Sequence, residues 1–297
     1  LHTTWPLDID PAVPLNAVMS VLTIQSRVAS GYVGNSAAVP ALQALGVEAV
    51  AVDTAHLSNH PGHQSFEGGP AATVKVDALI KGVEQKHAKA GFNAAITGYL
   101  GTLATGNAAL NAVRRLKSSG RCGFYCLDPV SGDNGRVYVD EELVAFFREQ
   151  ALPAADLIVP NAFEAALLLK TSLPTMDSAP AALECLLRFG PKRAAITGIE
   201  TPDGFATIIG GKDGLWRIET ECIEAAASGA GDAFAALLVG HLVNGKNFPK
   251  AVATALASIR DILALTQRLG KSDLAVVEGF GLLRQPKTRY KPIRITR

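Results

Sequence analysis

The stretch ASGAGDAFAALL, residues 227–238, contains one charged side chain, Asp232, behind three residues with almost no side chain. The apolar run after Asp232 is typical of a buried helix. The backbone N–H groups of Gly229, Ala230 and Gly231 would then lie at a helix start, where unpaired donors and the helix dipole attract anions. The segment predicts an anion hole beside a general base. The alternative is that Asp232 only begins the helix after a tight glycine turn.

Strands and helices alternate on both sides of this segment. Short apolar runs predict buried strands at 18–24, 47–54, 93–97, 123–128, 156–159 and 193–197. Helices are predicted at 35–45, with Asn35 as N-cap, and at 71–90. The segments 204–211 and 214–224 resemble an antiparallel pair. This order predicts an α/β fold with a mostly parallel central sheet and helices on both faces.

The composition is that of an ordinary globular protein, with 297 residues, 48% hydrophobic, 19% charged and a formal net charge of +1. This charge balance gives no support for binding nucleic acid or a membrane surface. The longest apolar runs, such as 233–243, are too short to span a bilayer. We expect an irregular Pro-rich arm over 1–16 and a single domain over 17–297.

The cysteines are expected to be free thiols. Cys122 and Cys126 have a spacing that suits neither a zinc site nor a CxxC redox pair, and both would lie on one face of a strand. Buried thiols are favoured over a disulfide, because free cysteine behaves as a small hydrophobe. Together with the lack of a signal-peptide pattern, this predicts a cytoplasmic location.

In an open α/β sheet, ligands bind at the carboxyl ends of the strands, and polar residues are concentrated there. Asp128 ends one predicted strand, and Asn161 and Glu164 follow another. These residues also have structural alternatives, since Asp128 could end a strand in a turn and Asn161 with Glu164 could form a capping box. No P-loop pattern occurs, and the GAGDAF segment lacks the third small residue of a dinucleotide fingerprint.

Six motifs occur in the order of a known family. They are TIQSRVASGYVGNSAA (23–38), LSNHPGHQSFEG (57–68), TGYLGT (97–102), LDPVSGDNGRVYV (127–139), ADLIVPNAFEAALL (155–168) and GAGDAFAALL (229–238). Through them the chain resembles the ribokinase-like kinases and, more narrowly, the pyridoxal kinase family. The resemblance runs from about Ser20 to the end of the helix after Asp232. It implies ATP-dependent phosphorylation of the 5′ alcohol of pyridoxal and related B6 vitamers, giving pyridoxal 5′-phosphate and ADP.

The resemblance also implies roles for individual residues. Asp232 is similar to the catalytic base, beside an anion hole made by Gly229, Ala230 and Gly231. Asp128 and Glu164 match the acidic residues that organise Mg²⁺. The implied ATP contacts are Asn161, Glu164, Thr197, Gly198, Gly229 and Gly231, and the implied vitamer contacts are Ser26, Val33, His60, Phe66 and Tyr99. A homodimer is implied as well, and the resemblance leaves a monovalent cation such as K⁺ open as a further cofactor.

The chain departs from the family pattern near the expected substrate. Arg27 stands where relatives often have His, and the predicted cover contains Pro61, His63 and Phe66. Ala230 stands where many relatives have Thr. These differences leave two alternatives open. One is another ribokinase-like kinase, such as one acting on hydroxymethylpyrimidine; the other is a catalytically silent sensor that binds vitamer or nucleotide.

Overall fold

The computed structural model describes residues 19–133, 135–225 and 227–296. Within these ranges the chain forms one ten-stranded sheet with helices on both sides, and one separate two-stranded hairpin. The predicted arm over 1–16 lies outside the described residues. None of the helices in these three ranges is long and apolar enough to cross a membrane.

The strands and helices have the following bounds. The strands are β1 (Ser20–Val28), β2 (Glu48–Leu57), β3 (Gly68–Pro70), β4 (Ala94–Thr97), β5 (Tyr125–Leu127), β6 (Gly132–Asp133), β7 (Arg136–Val137), β8 (Leu157–Ile158), β9 (Arg193–Thr201), β10 (Gly204–Gly211), β11 (Gly214–Glu221) and β12 (Ile293–Arg294). The helices are α1 (Asn35–Ala44), α2 (Thr73–Lys86), α3 (Leu103–Ser118), α4 (Glu141–Phe146), α5 (Ala162–Leu169), α6 (Ala179–Arg188), α7 (Ala230–Val243), α8 (Phe248–Arg268) and α9 (Phe280–Arg284).

The sheet is parallel in its centre and antiparallel at both edges. Its order is β12-β11-β10-β9-β8-β5-β4-β1-β2-β3. The six strands from β9 to β2 pair in parallel, whereas β10, β11 and β12 pair antiparallel on one side and β3 on the other. The predicted fold class, including the antiparallel pair, is confirmed. The carboxyl ends of six strands therefore share one edge of the sheet.

Two apolar cores lie on opposite faces of the sheet. Side chains alternate along β1, so that Val21 joins one core while Leu22 and Ile24 join the other. Helices α2 to α6 cover the core that contains Leu22, and helices α1, α7, α8 and α9 cover the core that contains Val21. Most of α7 after its first turn is buried, which explains the uniformly apolar sequence after Asp232.

Two local predictions differ from the structure around β1. This strand continues to Val28 instead of ending at Ile24. Asn35 is the first residue of α1 and not its N-cap, which is Gly34. The Asn35 side chain is fully buried and bonds to Thr23 Oγ1, to the carbonyls of Gln25 and Val52, and to Asp53. It joins α1 to two strands, a tertiary role that outweighs its preference for a capping position.

The cysteine prediction agrees with the structure. Cys122 and Cys126 are buried and free, and Cys185 and Cys222 are also free thiols. Burial raises the pKa of the Cys122 thiol to about 11, so this side chain is protonated and unreactive at neutral pH.

Candidate active site

Asp232 lies in the first turn of α7, directly after the glycine turn. Gly229 is the N-cap of this helix and has a left-handed backbone with φ 92°. A Cβ at Gly229 would lie 1.7 Å from the carbonyl oxygen of Tyr32, so only glycine fits between the two loops. The backbone N–H groups of Ala230, Gly231 and Asp232 belong to the first turn and have no partner within the helix. A Cβ at Gly231 would meet open space, so this donor cluster is accessible.

The carboxylate of Asp232 receives a backbone hydrogen bond from Gly34. Gly34 has φ 55°, and a Cβ there would lie 2.1 Å from the Ser26 carbonyl oxygen. The loop after β1 thus brings its backbone directly to Asp232. Desolvation raises the pKa of Asp232 to about 6, and the hydrogen bond from Gly34 opposes this rise. A carboxylate with this pKa is ionised at neutral pH and is more basic than an ordinary aspartate.

Two of the residues predicted to contact the vitamer, Ser26 and Val33, lie beside the Asp232 turn, and Tyr99 lies at a neighbouring strand end. Ser26 and Val33 are both buried, and Ser26 packs against Gly34, the hydrogen-bond partner of Asp232. Tyr99 lies just after β4, where its carbonyl accepts a 2.6 Å hydrogen bond from Thr54 Oγ1. Its neighbour Gly98 abuts the Gln25 side chain, next to Ser26. The carboxyl ends of β1 and β4 therefore bring Ser26 and Tyr99 to the same region.

The segment between β2 and β3, residues 58–67, reaches across to the Asp232 turn and is called the cover below. His60 Nδ1 lies 3.2 Å from the hydroxyl of Ser228, the residue before Gly229. His63 Nε2 lies 4.0 Å from a carboxylate oxygen of Asp273. Burial lowers the pKa of His60, and nearby His63 lowers it further. Phe66 is 44% exposed, so the cover does not bury this predicted contact residue.

Asp128 and Glu164 form a buried acidic pair near Asp232. Burial raises the pKa of Asp128 well above its usual range, with further contributions from the negative charges of Glu164 and Asp232. Burial also raises the pKa of Glu164 to about 8, although backbone N–H groups of Asn161, Ser131 and Gly132 oppose this rise. These carboxylates repel one another within a desolvated region, which a bound cation would relieve.

Glu164 is also one half of a capping box at the start of α5. Its carboxylate accepts from the Asn161 and Ser131 N–H groups at 3.0 Å each, while Asn161 Oδ1 accepts from the Glu164 N–H at 2.8 Å. The capping alternative is therefore confirmed for both residues. Asn161 also donates to the Gly132 carbonyl at 2.9 Å and so fixes the turn after Asp128.

A bulge in β9 places Thr197 beside Asn161. The pairing of β9 with β10 changes register here, so that one extra residue of β9 lies between Ile196 and Ile199. Gly198 supports this irregularity with φ 70°. Thr197 forms an isolated parallel bridge with Asn161, which brings the predicted nucleotide contacts together. The Gly198 Cα faces open space, where a ligand could approach its backbone.

No group of three or more His, Cys, Asp or Glu residues is arranged to hold a metal ion within the described ranges. The Glu164 oxygens already accept backbone hydrogen bonds. Asp128, Glu164 and Asp232 nevertheless interact electrostatically, as their pKa values indicate. This sparse set of carboxylates fits Mg²⁺, which retains water ligands and binds with substrate phosphates.

The chain is similar to one protein-family model and to several curated kinases. A family model described as phosphomethylpyrimidine kinase matches residues 29–277. The pyridoxal kinase of Rubrobacter xylanophilus is 35% identical over 93% of this chain and 97% of its own length. That of Leifsonia xyli is 33% identical over 93% of this chain and 100% of its own length. The chain belongs to the pyridoxal kinase family. The predicted family and enzyme class, a kinase, are therefore confirmed.

Solved structures of pyridoxal kinases have the same fold. The enzyme from Entamoeba histolytica superposes with a TM-score of 0.88 at 24% identity, covering 94% of this chain and 100% of its own. Pyridoxal kinase from Leishmania donovani in complex with ADP and pyridoxamine superposes with a TM-score of 0.85 at 27% identity, covering 93% and 99% of the two chains.

In this member of the pyridoxal kinase family, the sequence did not single out two residues of the site, Tyr138 and Asp273. Tyr138 is half-exposed and lies near Asp133, Glu164 and Asp232; partial desolvation, reinforced by their negative charges, raises its pKa. Its only sequence signal was a position inside a recognised motif. Asp273 contacts the cover and packs against Gly31, but no local pattern marks it. Arg27, the departure noted above, lies 4.0 Å from Asp53 with a largely exposed side chain.

Proposed function

We propose that the chain transfers the γ-phosphoryl group of ATP to the 5′ alcohol of pyridoxal. The alcohol oxygen forms a bond to phosphorus, the bond to the β-phosphate oxygen breaks, and ADP leaves. Asp232 accepts the proton of the alcohol. The observation that carries this proposal is the Asp232 carboxylate, whose pKa is raised to about 6 and which lies at an open helix N-terminus.

The glycine turn supports the other half of this chemistry. Gly229, Ala230 and Gly231 provide backbone donors where negative charge accumulates during phosphoryl transfer. Asn161, Thr197, Gly198 and Glu164 are proposed to position ATP, and this is supported by the bridge between Asn161 and Thr197 and by the hydrogen bond between Asn161 and Glu164. Because Ala230 acts through its N–H group, the absence of a threonine hydroxyl leaves this role intact.

Mg²⁺ is proposed to arrive with ATP and to neutralise phosphate charge during transfer. Asp128 and Glu164 would hold it, with Glu164 acting through water because its oxygens accept backbone hydrogen bonds. The Leishmania donovani structures with ADP support nucleotide use by this chain. A monovalent cation such as K⁺ remains part of the proposal on family resemblance alone.

The proposed vitamer pocket lies between β1, β4 and the cover. Ser26 would bind the pyridine nitrogen, Tyr99 would form one wall, and Val33 and His60 would complete the pocket. The cover would exclude water, which otherwise competes as phosphoryl acceptor. Phe66 can join the pocket only if the cover moves, because the ring is now exposed.

We also propose that residues 17–297 act as one domain, that the chain forms a homodimer and that it is cytoplasmic.

The test compares purified protein with pyridoxal and hydroxymethylpyrimidine as alternative acceptors for ATP with Mg²⁺. We expect kcat/KM to be higher for pyridoxal. The second acceptor is included because the matching family model describes phosphomethylpyrimidine kinases. Equal or better use of hydroxymethylpyrimidine would overturn the vitamer proposal but not the kinase chemistry. Binding of vitamer without ADP release would instead indicate a silent sensor.

A further inference from the structure

Two adjoining cavities lie at the edge of the sheet opposite Asp232. They surround the loop between α7 and α8, and Lys246 in that loop lines both. Asp232 is in the first turn of α7 and Lys246 follows its last turn, so the length of this helix, ~20 Å, separates the two regions. Phe124 and Arg193, which line one cavity, lie at the amino ends of β5 and β9. These cavities are therefore remote from the proposed active site.

One cavity, of about 410 Å³, is strongly basic. Lys246, Lys250, Arg284 and Arg289 all line it, together with the hydroxyl-bearing Thr254, Thr288 and Tyr290. None of its described lining residues is acidic. Four cationic side chains around one concave surface repel one another, so an anion bound there would be stabilised.

Two carboxylates lie behind the wall of this cavity and bind hydroxyl groups of its lining residues. Asp261 accepts hydrogen bonds from the Thr288 hydroxyl at 2.6 Å and from two backbone N–H groups. Glu221 binds the Tyr290 hydroxyl at 2.6 Å and Arg260 at 2.7 Å. Burial lowers the pKa of Lys246, and the positive charge of Arg289 lowers it further. The four Lys and Arg side chains that line the cavity outnumber these two carboxylates, so the cavity keeps an excess of positive charge.

The second cavity, of about 560 Å³, has aromatic walls. Phe124, Trp216 and Phe248 line it, and the Arg193 guanidinium lies 5.6 Å from the centre of the Phe248 ring. Asp213 is the acidic residue among its described lining residues. A ligand that spans both cavities would therefore place its anionic end toward the basic cavity and a flat apolar end toward Trp216.

We propose that these two cavities form a second binding site for a phosphorylated small molecule with an aromatic ring. Its phosphate lies against Lys246, Lys250, Arg284 and Arg289, and its ring occupies the cavity lined by Trp216 and Phe248. Arginine and lysine are the usual partners of phosphate oxygens. This proposal is argued from the two cavities and their lining residues. It does not depend on the proposed kinase activity.

The test is protection of individual lysines from acetylation, measured by mass spectrometry of peptides from the whole protein. Inorganic phosphate is expected to slow acetylation of Lys246 and Lys250 at least threefold in a saturable manner. Lys86, an exposed residue at the end of α2, is the control and should react equally with and without phosphate. Because each lysine is followed separately, phosphate bound near Asp232 does not affect the result. Equal protection by chloride at the same ionic strength would overturn the proposal.

Two further comparisons identify the residues and the ring. Arg289→Glu should abolish protection of Lys246, whereas Lys86→Glu, with the same charge change, should not. Arg284→Glu provides a second variant, and thermal unfolding followed by circular dichroism confirms that each variant is folded. Adenosine 5′-monophosphate should protect at lower concentration than phosphate, because its ring reaches Trp216. Protection retained in both arginine variants, or equal potency of the two ligands, would contradict the proposed site.

Discussion

At the scale of single residues, Asp232 determines the pH dependence of the proposed reaction. Its pKa of about 6 means that the base form is lost below that pH. We expect kcat/KM to fall about tenfold per pH unit below about pH 6, and Asp232→Asn to reduce kcat by ~10²–10⁴-fold at pH 7.5. Steady-state kinetics over pH 5–8 test both. The control is Asp77→Asn, a surface change on α2 that should alter neither value. An acidic limb that persists in Asp232→Asn would assign the titration to another group.

At the scale of elements, the capping box at the start of α5 connects stability to the site. Glu164→Gln replaces one acceptor oxygen with an amide that cannot accept from a backbone N–H group. We expect a loss of ~1 kcal/mol in the free energy of unfolding, measured in urea, and a higher Mg²⁺ concentration for half-maximal activity. Glu48→Gln, at the exposed amino end of β2, should show neither effect. An unchanged Mg²⁺ requirement would restrict Glu164 to capping.

At the scale of the whole molecule, the acidic site should reduce stability at high pH. The pKa of Glu164 is about 8 and that of Asp128 is also raised, so the folded state holds protons that the unfolded state releases near pH 4. The free energy of unfolding should therefore decrease as pH rises, by ~2 kcal/mol between pH 6.5 and 8. His241, with a pKa lowered to about 4, acts oppositely, mainly below about pH 7.

Urea unfolding of the ligand-free protein at pH 6.5 and pH 8 measures this effect. Asp128→Asn removes one of the buried charges and should make the pH dependence shallower. Stability that rises between these two pH values would show that the carboxylates are not desolvated to the extent described.

The structure could be predicted from the sequence where short-range rules decide it. The parallel sheet follows from apolar runs separated by helices, and the Asn161–Glu164 capping box follows from a three-residue spacing. Features that depend on contacts between segments far apart in the chain could not be predicted from the sequence. The buried bonds of Asn35 depend on β2, and the position of Asp273 beside the cover depends on the folded C-terminal segment. Whether Phe66 faces the pocket depends on the conformation of the cover, which composition does not specify.

The shortness of the two outer strands has a consequence for solubility. A ten-stranded sheet offers two edges on which another chain could add a strand, but β12 has two residues and β3 has three, ending in Pro70. Because β3 directly follows the cover, a movement that opens the pocket and unpairs β3 would expose the backbone of β2 from Ala55 to Leu57. We therefore expect aggregation to be slowest when ligands hold the cover closed. Movement of the cover and colloidal stability would then both depend on the three-residue strand β3.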